Sequence, residues 1–101
     1  MLYFMEEFFR QRLVQLRSQK KVSARDMSLS LGQSESYINK IENGKALPSM
    51  QVFFYICEYF GISPKDFFDS ENRCPAAVQA LTEDLKMLTD IQIASIADIV
   101  K

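Results

Sequence analysis

Histidine is absent from this 101-residue chain, and cysteine occurs only as Cys57 and Cys74. Without imidazole, and with two thiols, the chain falls short of the four ligands of a structural zinc site, and it has too few cysteines for a disulfide framework. Cys57 stands within an aromatic helical stretch and reads as a small buried hydrophobe. Glycine and proline are scarce, three of each, while 48% of residues are apolar; such a chain buries a core rather than staying disordered. No apolar run approaches the ~18–20 residues of a membrane span, and the N-terminus lacks the basic flank of a secretory signal. No glycine-rich phosphate loop follows a strand pattern, and the carboxylates are scattered over polar faces. These absences weigh against an enzyme, a metal or cofactor protein and a membrane protein. They point to a cytoplasmic chain of one domain with an appendage.

Charge is nearly balanced overall, at -1, but unevenly distributed. Between residues 10 and 45 stand eight basic residues (Arg10, Arg12, Arg17, Lys20, Lys21, Arg25, Lys40, Lys45) against three acidic ones, a local balance of +5. From residue 46 onward four basic residues face eight acidic ones. A basic stretch of this kind suits a nucleic-acid surface, although a solvated face accounts for part of it.

The rest of the chain is organised around VSARDMSLSLGQSESYINKIENGK, residues 22–45. Ser23 is placed to N-cap a short helix, with Asp26 three residues on, and Met27 and Leu31 fall on one face of it. Gly32 allows the chain to leave that helix with positive φ. Ser34 is placed to cap a second helix starting at Glu35, with Ile38 and Ile41 buried and Glu35, Ser36, Tyr37, Asn39 and Lys40 exposed. Asn43-Gly44 ends it. Helix, short glycine turn, helix is the unit that lays one exposed helix in the DNA major groove.

With LVQLR at residues 13–17, this stretch and the P-S that follows it resemble the helix-turn-helix of the Cro/C1-type (XRE family, phage repressor-like) transcriptional regulators. The resemblance covers residues 13–68, without a gap and with IENGK in register. It implies an all-α fold, a five-helix lambda-repressor-like DNA-binding domain over residues 1–70 with its helix-turn-helix at 23–43. It implies base-edge contacts from Glu35, Ser36, Asn39 and Lys40, and an ion pair between Arg17 and Glu42. Ala24 departs from the family's usual glutamine, so one expected phosphate contact is missing. Arg25, Tyr37, Asn43 and Lys45 are the candidates for phosphate contact, Asn43 and Lys45 through a turn whose backbone N–H groups can hold an anion. Chemically, Lys suits guanine, Asn adenine, and Glu only a cytosine amino group. Glu35 is unusual at that position and repels phosphate.

Around the motif the periodicity is helical throughout. Phe9, Leu13 and Leu16 give the first helix, over residues 2–19, a core face that Phe4, Met5 and Phe8 extend. Lys21 stands at the helix exit, where relatives carry glycine. Ser49 opens a helix bearing Val52, Phe53, Ile56, Cys57 and Phe60 and closed by Gly61; Ser63-Pro64 opens a short one bearing Phe67 and Phe68. From Pro75, two short amphipathic C-terminal helices occupy the segment 71–101. Val78, Leu81, Leu85 and Leu88 form one apolar seam; Ile93, Ile96 and Val100 form the face of the second helix, which Thr89 and Gln92 cap as a box. Either the two helices pack back onto their own domain or these seven residues form a dimer interface, and so continuous a stripe, a liability on a monomer, points to the dimer.

The expected function is therefore a sequence-specific regulator of transcription, a repressor binding an inverted-repeat operator in double-stranded DNA as a homodimer. Two alternatives stay open: a degenerate helix-turn-helix that regulates a protein partner through its C-terminal helices, and an antitoxin-like protein that binds DNA and a toxin. No cofactor is called for.

Overall fold

In the computed structural model, which describes residues 2–101, Phe9, Leu13 and Leu16 become the buried stripe of a 19-residue first helix, α1 (Leu2–Lys20). Six shorter helices follow: α2 (Ala24–Ser30), α3 (Tyr37–Glu42), α4 (Met50–Phe60), α5 (Pro64–Phe68), α6 (Pro75–Leu85) and α7 (Asp90–Val100), with no strand among the described residues. Ser23, Ser49 and Ser63 start α2, α4 and α5 alike: each hydroxyl accepts the backbone N–H three residues on, at 3.0–3.2 Å.

Helices α1 to α4 also share one kind of exit. Gly32 and Gly44 adopt φ of 74° and 75°, which lets the glycine N–H and the one after it fold back onto the last carbonyls. After α3, Gly44 donates to Ile41 O (3.0 Å) and Lys45 to Lys40 O (2.8 Å); after α2, Gly32 donates to Leu29 O and Gln33 to Ser28 O, both at 3.0 Å. Lys21 performs the same exit from α1 at φ 61°, a conformation that costs a side-chain-bearing residue about 1–2 kcal/mol.

The core lies among α1 to α5. Leu13, Met27, Ile38, Ile41, Ile56 and Phe67 are fully buried, and Phe9, Phe53 and Phe67 form an aromatic centre with ring centroids 4.9–5.8 Å apart. Phe68 is half outside, stacked on Phe8. The N-terminal aromatics do not extend the core stripe as their spacing suggested: Leu2, Tyr3, Phe4 and Met5 are exposed, since α1 continues a full turn beyond the elements it packs on.

Arg12 is the buried exception to the apolar face of α1. Its Nε donates to Phe67 O (2.7 Å) and its Nη2 to Asp66 O (2.7 Å), Asp69 O (3.2 Å) and Asn72 O (2.8 Å). One guanidinium thus serves the orphan carbonyls at the end of α5 and the turn after it. Burial pushes its pKa down, against the opposing pull of Asp69 and Asp66. Gln19 adds a bond to Arg73 O (2.6 Å), and Pro75 is buried. The chain is fastened to α1 up to this point and then leaves the core.

In α6 and α7 only Pro75 is fully covered. Val78, Leu81, Ile93 and Val100 are exposed, and Leu85, Leu88 and Ile96 are half-buried. The Thr89–Gln92 capping box forms in both directions. Leu88 lies in the turn between the helices, because α6 stops at Leu85; the expected four-residue seam is therefore three helical positions plus one turn position. The radius of gyration is 16.3 Å, against about 13 Å for a compact domain of this length. Accessible surface is 7238 Å², against about 5,900 Å² for a compact monomer of this mass.

Candidate nucleic-acid interface

Helix α3 has six residues, too few to hold its own geometry, and it is fixed from behind by three separate devices. The first is Ser28 on α2, fully buried, whose hydroxyl accepts the N–H of Ile38 (2.9 Å) while donating to Ala24 O (2.7 Å). An otherwise orphaned donor at the start of α3 is thereby served from the preceding helix. Ser34 does not cap α3; the N-cap position belongs to Ser36, whose side chain makes no capping bond.

The second device is the ion pair between α1 and the end of α3. Arg17 Nε and Nη2 grip the two carboxylate oxygens of Glu42 at 2.7 and 2.9 Å, and Nη1 donates to Val22 O at 3.0 Å. Glu42 is nearly buried, and its hydrogen bonds hold the Arg17 pKa above the ordinary value despite desolvation. The third is Arg10, which donates to Glu42 O (3.2 Å) and pairs with Glu7. All three are end-on or side-on braces that leave the outer face of α3 free.

That face carries Asn39 and Lys40, both exposed, followed by Asn43 and Lys45 in the turn. The Asn43 side-chain amide donates to Asn39 Oδ1 (3.1 Å), so the two amides form one polar ledge beside Lys40. The surface is anchored and carries Lys40 and Lys45, and it offers donors of the kind that read base edges. Among the described residues no cluster of metal-binding side chains occurs.

A family model described as a helix-turn-helix domain matches residues 11–73, more than half of the chain. This chain belongs to the helix-turn-helix domain family. Neither a curated protein nor a solved structure matches it.

The other contact residues that the resemblance implies lie in the turn before α3, half-buried, or paired. Glu35 and Ser36 lie in the turn before α3 rather than on the helix, and Ser36 is half-covered. Tyr37 is half-buried against the core, and that burial pushes its phenol pKa up. Arg25 is not a free cation: its Nε sits 3.2 Å from Glu35 Oε2, with both side chains about two-thirds exposed. The local excess of +5 also overstates the charge available to a ligand. Arg12 is buried, Arg10 and Arg17 brace α3, and Lys20 lies 4.8 Å over the Tyr59 ring. What remains exposed is Lys21 at the exit of α1 and Lys40 and Lys45 at α3, with Arg25 shared.

The structural roles of Ser28, Arg10 and Arg12 have no local sequence pattern, since each meets main-chain groups far along the chain. Ser28 carried a detectable signal, a small polar residue directly after buried Met27, but its acceptor role depends on a chain reversal at Gly32.

Proposed function

We propose that this helix-turn-helix protein is a sequence-specific DNA-binding regulator of the Cro/C1 (XRE) kind, a cytoplasmic repressor that acts as a homodimer and has no catalytic role. The observation carrying the reading is the outer face of α3: Asn39 and Lys40 exposed, Lys45 beside them, on a helix braced by Ser28, Arg10 and the Arg17–Glu42 pair. In the proposed complex, Lys40 donates to guanine O6/N7 and Asn39 faces adenine, while Lys45 and the Asn43–Gly44 turn meet phosphate. Bracing matters because base readout needs donors placed before docking, not after it.

Dimerisation is supported by the state of α6 and α7. Eleven-residue helices are marginal in water without packing, and the surplus surface exceeds the roughly 800 Å² that each partner buries in a standard interface. Two α3 helices held about 34 Å apart then reach successive major grooves, so the operator is an inverted repeat. The same exposed α6–α7 face favours a second reading, in which a protein partner, such as a toxin, docks there.

Titration with duplex DNA over a salt series tests the first reading. Affinity falls steeply with salt, and Lys40→Ala costs about 1–3 kcal/mol on the preferred sequence and relaxes discrimination at one base pair. Equal loss on preferred and random DNA contradicts base reading by Lys40. Absence of any duplex binding leaves the protein-partner reading.

A further inference from the structure

The Arg25–Glu35 pair joins the start of α2 to the turn that leads into α3. Both members are about two-thirds exposed, and the Nε–Oε2 separation is 3.2 Å. Nothing in the fold requires the pair. The bracing of α3 is complete without it, through Ser28, Arg10 and Arg17, and α2 already has its Ser23 cap. A solvent-exposed pair of this kind adds little to stability. Its position gives it another consequence.

We propose that Glu35 acts as a built-in competitor for DNA phosphate that suppresses binding to unselected sequences. In free protein its carboxylate occupies the guanidinium of Arg25, an arginine of the helix-turn-helix that is not committed to bracing the fold. On any duplex, Arg25 must exchange Glu35 for a phosphate oxygen, and because the pair is neutral as a unit, that exchange releases little counterion. Glu35 is then left as an unpaired negative charge against the backbone. Only a base-edge donor relieves it, and the cytosine amino group is the partner a carboxylate accepts from in the major groove. The penalty falls on every sequence and is lifted on those with cytosine in register, so a repulsive element is turned into discrimination. This inference rests on the DNA-binding reading above and adds a residue that sets specificity by exclusion.

The test is a titration of the full-length protein, Glu35→Gln, Arg25→Gln and the double variant against random-sequence duplex between about 50 and 200 mM salt. Glu35→Gln is expected to bind random DNA roughly fivefold tighter, the size of one exposed charge interaction. Its slope of log affinity against log salt is expected to steepen by up to about 0.9, one additional phosphate contact. The double variant loses both gains, and on a selected operator the tightening is smaller than on random DNA. Thermal melts of the three variants match the parent, since neither side chain supports the fold. Unchanged affinity and slope in Glu35→Gln, or equal gains in the double variant, overturn the inference while leaving DNA binding intact. If neither the parent nor any variant binds duplex at the lowest salt, the DNA-binding reading fails and the inference with it.

Discussion

Arg12 and Arg17 stand five residues apart on α1 and meet acceptors of different kinds. Arg17 meets the Glu42 carboxylate, a pair between two side chains that the resemblance to the Cro/C1-type motif implies. Arg12 meets main-chain carbonyls of Phe67, Asp66, Asp69 and Asn72, more than fifty residues away. Carbonyls carry no sequence signature, so Arg12 reads from sequence as one more surface cation until the chain closes on itself. Replacing Arg12 with lysine keeps the charge and loses the planar fork, so one donor group must replace four contacts. Arg12→Lys is expected to lower unfolding free energy by about 3 kcal/mol in urea denaturation; a loss below about 0.5 kcal/mol would mean that water serves those carbonyls instead. Glu35 and Arg25 belong to this scale too. Each was legible as a charge near DNA, but their mutual pairing depends on the angle between α2 and α3, which no local spacing encodes.

At the scale of elements, the helices were legible wherever the signals are local. Serine caps at Ser23, Ser49 and Ser63, glycine exits, the Pro64 and Pro75 starts and the Thr89–Gln92 box all act within four residues, and the structure reproduces each of them. Helix α3 starts two residues later than the Ser34 cap predicts, because Ser34 and Ser36 are both residues of the capping type. The true acceptor lies across the turn on Ser28. Ser28→Ala removes that acceptor and leaves a buried N–H without a partner, at a cost of about 1–3 kcal/mol. We expect thermal melting to register this loss and DNA affinity to fall with it, since the start of α3 is no longer held. A neutral Ser28→Ala would show that Arg10 and Arg17 suffice to orient the helix. The exposed Leu2–Met5 turn has the opposite origin: its hydrophobic period is genuine, but α1 outruns its neighbours there.

For the molecule as a whole, the apolar periodicity of residues 75–100 announced two amphipathic helices, and the structure forms them. Where those faces go is a property of more than one chain, or of a contact the sequence does not name. Their exposure, together with a surface and a radius too large for a compact monomer, supports the proposed dimer. Sedimentation equilibrium is expected to give twice the 11.7 kDa chain mass, and Leu81→Glu, at a position exposed in the single chain, to return the protein to monomer without unfolding it. A monomer at every concentration would place the α6–α7 face in the service of another protein.

The claim on which the rest depends is that α3 reads bases in pairs. Selection of bound duplexes from a random-sequence pool tests it most directly. We expect enrichment of an inverted repeat whose half-sites lie about 10–10.5 base pairs apart, centre to centre. Failure to enrich any sequence, or enrichment of a single asymmetric site, would contradict it.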